Sequence, residues 1–398
     1  MPHLALDLAR WATELTPTST DLELADRSLL DTLAVMVSAR TCELVPVVAG
    51  LPEVARWAAL GHVLDFDDLH LPSTAHLSVV CVPAALSTGG GARAYLAGAG
   101  VMARLGTALG WLHYSAGWHA TCTSGAPAAA VAAAVGLGLD AETTARAIAL
   151  AVPATGGVQR AFGTHGKSLQ VAFATDAGVR AARLAAAGAT ADPAALESWM
   201  ALVGGDPADV DLSGPAVPGG LAVKMHPCCY ALQRPIAATR ELDVEAADVV
   251  GVTVRTPAGT VQPLVHSRPT TGLEAKFSLE YAVATALLDR FPGQVAFEDA
   301  AVGRAEARRL VDAVEVELTS GGAGLLDGAC EVELRLTDGR TVRSRLEVPP
   351  GAPDRPPTLD ELTAKVRDCA PDVADELLTT RWGDAAQVLR RHLTGTQG

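Results

Sequence analysis

A chain of 398 residues, 49% of them apolar and 19% charged, is too long for one ordinary core and has enough apolar side chains to fill two. Its 45 acidic residues against 31 basic ones leave a formal charge of −14, which repels nucleic-acid phosphates and anionic membrane surfaces, so neither is an expected partner. A small anionic substrate would need a local group of Lys, Arg, His or backbone N–H donors to overcome that average field.

Up to about residue 220, Ala, Leu, Gly and Val recur in helical patterns with few strand signals. The stretch 21–40 puts Leu22, Ala25, Leu29, Leu33 and Met36 on one helix face, with Thr20 as the expected cap. Further helices are expected over 92–112 and 127–137. Another follows Asp140, an N-cap with Glu142 in the first turn. No basic segment followed by an apolar one opens the chain, and the Ala-rich stretches are broken by Gly, Pro and charge before spanning length. A cytoplasmic protein is the expectation. Seven Cys, an odd number with no CxxC pair, fit reduced thiols.

After about residue 245 the texture changes. VVGVTVRT, VDAVEVEL and CEVELRLTDGRTVRSRLEV alternate with a period of two and are rich in Val, which predicts strands. Asp338-Gly339 between two such runs predicts a hairpin with a type I′ turn. A helix over 279–288 interrupts them, and helices resume after Thr358 and through 385–393. The fold class expected is mainly α with α+β: a large all-helical domain (1–220 and 358–398) plus a smaller inserted α+β lid domain (221–357).

Polar residues gather in three places. HVLDFDDLHLPSTAH carries His62, Asp65, Asp67, Asp68, His70, Ser73 and His76. The plain structural alternative makes Asp67 and Asp68 solvent-facing caps and His62 a packing residue. Their spacing matches no zinc or di-iron pattern, so no metal or other cofactor is expected. GWHATCTSGA sets His119 before small residues, where a helix start would offer N–H groups to a carboxylate. Cys122 and Ser124 there lack the GxSxG context of a nucleophile. GGVQRAFGTHGKSLQ, read as a Gly-rich loop, holds Arg160, His165 and Lys167. VKMHPCCYALQRP places Lys224 and His226 at the expected domain junction, a favoured place for small-molecule sites. The usual fate of a single lysine is a solvated surface position. Gly89-Gly90-Gly91 follows no strand and lacks the GxGxxG spacing, so a dinucleotide site is not expected.

Taken in order, HVLDFDDLH, the later His76 and VPAAL, GWHATCTSGA, THGKSLQ, KMHPCCY and AKFSLEYAVATALL resemble landmarks of the MmgE/PrpD family, over roughly residues 20–390. That family includes 2-methylcitrate dehydratase, cis-aconitate decarboxylase and iminodisuccinate epimerase. The resemblance implies a helical domain closed by an α+β lid, a homodimer, and a metal-free site between the domains. Asp65, His76, His119, Lys167, Lys224 and Tyr281 would line that site, with His165, His226 and Cys229 beside the lysines as further substrate contacts. It implies a lyase acting on a small polycarboxylic acid by removing a proton beside a carboxylate. Lysines would hold the enediolate, an imidazole would take the proton, Asp65 would orient or charge a histidine, and Tyr281 would clamp or protonate from the lid.

A dehydratase of the 2-methylcitrate type is the leading expectation. An epimerase of an amino- or imino-dicarboxylate, a cis-aconitate decarboxylase, and a non-catalytic scaffold retaining the fold are the alternatives. The chain also departs from the family pattern. Leu69 stands where many relatives have Thr, and Cys229 stands where the decarboxylases have a second histidine, with His226 nearby. The region before His62 is short, and QVAFA replaces H-P-G-W after the loop lysine.

Overall fold

The computed structural model describes residues 3–289, 291–320, 324–325 and 327–393. Its first half is a stack of helices around one, Gly125–Gly136, that is buried over its first ten residues. Residues 125–134 of that helix are alanine, glycine, valine and proline, all buried, so neighbouring helices can pack close on every side. Gly98, on the long helix Ala92–Ser115, marks one such crossing: a Cβ there would sit 2.7 Å from that of Ala132. Gly178, on His165–Ala186, marks a second crossing, against Ala126 and Ala129.

The helix Ser19–Ser38 is capped two residues earlier than expected. Thr18 accepts from the N–H of Asp21, and Asp21 reaches back to the N–H of Thr18. Thr20 also has an acid three residues on, Glu23, but it is Thr18 and Asp21 that form the reciprocal pair, which satisfies two end donors at once. Asp140 and Thr358 cap their helices as expected.

The strand-forming segments make one four-stranded sheet: β1 (Val249–Pro257), β2 (Val314–Thr319), β3 (Cys330–Leu336) and β4 (Thr341–Leu346), in the order β2-β1-β3-β4. β1 and β2 are parallel, and the chain between them supplies the helices Leu279–Leu288 and Ala305–Asp312. The other pairings are antiparallel, with Val254 opposite Val332 and Leu334 opposite Val342. Val252, Val254, Val332 and Leu334 point into a core shared with those helices and with Gln233–Arg240.

The β3–β4 hairpin falls where Asp338-Gly339 predicts it, but only Gly339 has a positive φ. Asp338 instead accepts the N–H of Arg340 on its carboxylate, so the turn is not type I′. After the sheet the chain returns to the helical side. Val366, Cys369, Leu377, Ala385 and Leu389 of the last three helices join the core built by residues of the first half. Among the described residues no helix is long and apolar enough to cross a membrane.

Candidate active site

The helix Glu53–Val63 ends at a buried loop carrying the densest polar cluster of the sequence. Asp65, the second residue beyond the helix, has φ +53, a left-handed conformation that costs a residue with a Cβ about 1 kcal/mol. The strain persists because both its backbone and its side chain are held. The Lys224 ammonium donates to the Asp65 carbonyl at 2.8 Å and to Oδ1 at 2.7 Å, while Lys167 donates to the same Oδ1 at 2.9 Å. All three residues are buried. Burial alone would push the Asp65 carboxyl up, but the two ammonium groups overcome it and hold it far below the usual range. Burial likewise works against the Lys224 charge, and Asp65 and Asp67 more than restore it. Asp65 Oδ2 has no hydrogen-bond partner among the described residues.

Lys167 does not lie in a Gly-rich loop as the sequence suggested. Thr164 caps a helix that starts at His165, which puts Lys167 in its first turn, facing the core. From there its ammonium also donates to His62 Nε2 at 2.8 Å. An ammonium only donates, so the His62 proton sits on Nδ1, which gives it to Asp67 Oδ2 at 2.7 Å. His76 Nδ1 lies 3.1 Å from the same oxygen. That contact lies outside hydrogen-bonding geometry, but the Asp67 charge beside Nδ1 favours the neutral tautomer with its proton there and the Nε2 lone pair free.

His119 has the opposite tautomer. The Val158 N–H donates to Gln170 Oε1, which fixes the amide orientation, and Gln170 Nε2 then donates to His119 Nδ1 at 2.6 Å. The His119 proton is therefore on Nε2, which is buried and unpartnered among the described residues. The His62 ring stands between the other two, with its centroid 4.7 Å from that of His76 and 5.6 Å from that of His119. Burial is the chief cause that keeps all three imidazoles neutral. It lowers His62 to about 4 against the pull of Asp67, and it lowers His76 and, with His62 and Lys167 adding to it, His119.

Asp65, His76, His119 and Lys167 line one cavity with Cys229, Leu69, Phe162, Phe277 and Tyr114. Six of the sequence-derived candidates thus come together, Lys224 lying behind Asp65. Three do not. The Tyr281 hydroxyl donates to the Ala296 carbonyl at 2.5 Å within the sheet-side core. His165 lies at the surface against Glu43. His226 is buried, donates to the Pro292 carbonyl and packs on Phe291. Asp67 and Asp68 are buried, not solvent-facing; Asp68 binds the hydroxyl and N–H of Ser78, and burial pushes it up to about 7. Burial also pushes the Cys229 thiol up to about 12, so it stays neutral.

Sequence reasoning missed Gln170, whose amide sets the His119 tautomer, and the part played by His62 in linking Lys167 to Asp67. Nothing in the spacing of Gln170 marks it. The placement of ligand atoms of His62, Asp67 and His76 within 4.8 Å of one another would suit a cation. The His62–Asp67 hydrogen bond and the approach of His76 to the same carboxylate account for this spacing, and the Lys167 ammonium against His62 opposes a second positive charge there.

A helical body and a mixed-sheet region enclosing a cavity of lysines, a carboxylate and neutral imidazoles define a class of protein able to move protons next to an anion. The chain belongs to the MmgE/PrpD family: the model of the N-terminal domain matches residues 51–204 and that of the C-terminal domain residues 226–390. This is a family of lyase- and dehydratase-type enzymes. No individual curated protein matches the chain.

Proposed function

We propose that the protein is a lyase that removes a proton beside a carboxylate of a small polycarboxylic acid and expels a leaving group from the neighbouring carbon, as a 2-methylcitrate dehydratase does. The observation that carries this reading is the pair of buried imidazoles, His76 and His119, facing one cavity beside a carboxylate held by two ammonium groups. His76 Nε2 is the base, and it works as neutral imidazole at physiological pH. His119 Nε2–H is the acid, delivering a proton to the departing oxygen. Lys167 and Lys224, each with one N–H donor left beyond its bonds to Asp65 and, for Lys167, to His62, stabilise the enediolate as its charge develops. These groups supply the charge stabilisation without a metal, and no cofactor enters the reaction.

The cavity encloses about 20 Å³, room for about one water. A polycarboxylate enters only if the α+β region, residues 221–357, moves away from the body formed by 1–220 and 358–398, and the substrate then sits between the two. Three residues remain in the proposal from the family pattern alone: Tyr281, His165 and His226, which the structure holds on other partners outside the cavity. We also infer a homodimer in a reducing, cytoplasmic setting; the seven free thiols support the second part.

A second reading has one observation in its favour. A base and an acid on separate imidazoles are also what an epimerase needs to take a proton from one face of a carbon and return it to the other. Decarboxylation is less favoured, because neutral Cys229 does not supply the cation a second histidine would.

Proton NMR in D₂O separates these. The protein is incubated with citrate, 2-methylcitrate, cis-aconitate, imino-dicarboxylates and simple dicarboxylates, beside a Lys224→Ala control. Elimination with the intact protein alone supports the lyase. Deuterium uptake with inversion supports the epimerase. No exchange and no conversion across the panel counts against both and leaves the scaffold alternative.

A further inference from the structure

Of the 31 basic residues only four are lysines: Lys167, Lys224, Lys276 and Lys365. All four are buried, and all four ammonium groups converge on one short piece of chain. Lys276 donates to the carbonyl of Leu64, Lys224 to that of Asp65 and Lys365 to that of Phe66, while Lys167 takes the Asp65 carboxylate. Three successive carbonyls just past a helix end are thus each met by an ammonium from a different part of the sequence. Such carbonyls need donors. A compact ammonium on a flexible stem can reach them inside a packed core.

Lys276 differs from the other three. Lys167 and Lys224 are paired with Asp65, and Lys365 lies 2.6 Å from Asp31. No ion pair to a carboxylate is formed by Lys276 among the described residues; its donors go to Leu64 and, at 2.6 Å, to the carbonyl of Pro227. It therefore bridges the residue before Asp65 and a residue three positions beyond Lys224. Its own carbonyl accepts the N–H of Cys229, and its neighbour Phe277 lines the cavity.

We propose that Lys276 is a positioning residue through which the α+β region sets the Asp65 carboxylate. When that region is seated, the Lys276 ammonium fixes the Leu64 carbonyl, holds Asp65 in its left-handed conformation and keeps Oδ1 between Lys167 and Lys224. Closing the cavity and assembling the charged cluster are then one event. The inference rests on the reading of Asp65 as the site carboxylate and is independent of which acid is bound.

The scarcity of lysine makes the test direct, because selective ¹⁵Nζ-lysine labelling yields only four ammonium signals. They are recorded on the whole protein without substrate, in wild type, in Lys276→Met, and in Thr285→Val, a control that breaks a bond to Asp289 in the same region and touches none of residues 64–67. The expected result is loss of one signal and displacement of those of Lys167 and Lys224 in Lys276→Met, with both unmoved in Thr285→Val. Unmoved Lys167 and Lys224 signals in Lys276→Met, or equal displacement in the control, overturn the proposal. Should the methionine variant not fold, Lys276→Gln, which keeps an N–H donor, is read in the same way. Because no turnover is measured, a wrong substrate class does not affect the outcome.

Discussion

Charge is handled in opposite ways on the two sides of the molecule. On the sheet, Arg255 of β1 reaches Glu317 of β2 and Glu331 and Glu333 of β3, and Arg343 of β4 reaches Glu333, all at or near the surface. In the loop after Glu53–Val63, lysines, carboxylates and imidazoles are withdrawn from water and every one leans on another. Water screens the first network and would replace any member that is lost. The second has no such reserve, so removing one member leaves a buried charge uncompensated.

The contrast predicts its largest effect at Lys224. Lys224→Met leaves Asp65 buried with Lys167 as the one ammonium still bonded to its carboxylate and with the contact to its carbonyl undone. The expected loss is about 3–5 kcal/mol in urea unfolding, accompanied by loss of turnover on whatever acid the D₂O panel identifies. A stable, active Lys224→Met would place this cluster with the surface network. Gln170→Glu comes next and acts on chemistry more than on stability. A carboxylate can only accept from His119, so the proton moves to Nδ1 and Nε2 can no longer donate. Turnover is expected to fall about 10²- to 10⁴-fold, and ¹⁵N-histidine NMR should show the His119 tautomer reversed. An unchanged tautomer would remove the basis for assigning His119 as the acid.

The two regions also differed in how far the sequence revealed them. Alternation over 249–257 and 330–346 announced β1, β3 and β4, because a half-buried strand writes its geometry into a period of two. The helices around Gly125–Gly136 were legible in the same way. In the site, the polar density of 62–76 showed where chemistry is placed, and the family resemblance singled out Asp65, His76, His119, Lys167 and Lys224. What the sequence could not show was which donor meets which acceptor. Tautomers depend on Gln170 and Lys167, 51 and 105 positions from the rings they touch. Tyr281 stayed in the candidate set because its block resembles the family, although its hydroxyl is bound to Ala296. One signal went unread: four lysines among 31 basic residues are too few to be ordinary surface charge, and counting them would have added Lys276 and Lys365.

A smaller effect is expected at the edge of the buried cluster. His70 accepts from Ser73 on Nδ1 and donates to the Pro218 carbonyl from Nε2, so the fold holds it neutral. Burial, opposed by that carbonyl, lowers it to about 4, whereas an unfolded histidine titrates near 6.5. Between these values the unfolded chain binds more protons than the folded one, so stability is retained above about pH 6.5 and falls as pH drops towards 4. For His70 alone the loss from pH 7 to 5 is about 2 kcal/mol. His62 and His226, also lowered to about 4, add to it. Urea unfolding of His70→Gln should show a shallower pH dependence than wild type, and an identical slope would mean that His70 is not held neutral.

The least effect is expected at Arg255, although it makes more ion pairs than Lys224 does. Its three carboxylate partners stand on adjacent strands whose own hydrogen bonds and Val-lined face already fix their spacing. Arg255→Ala therefore removes attraction between groups that stay where they were, and water solvates the freed carboxylates. The urea midpoint is expected to match wild type closely, and the small difference that remains should vanish at about 1 M salt, where charges are screened beyond about 3 Å. The same salt should not rescue Lys224→Met, since ions in solution do not reach a carboxylate sealed behind Lys167 and Asp65's own backbone. If Arg255→Ala instead unfolds at much lower urea, independently of salt, then the sheet network is as interdependent as the loop, and burial is not what separates the two.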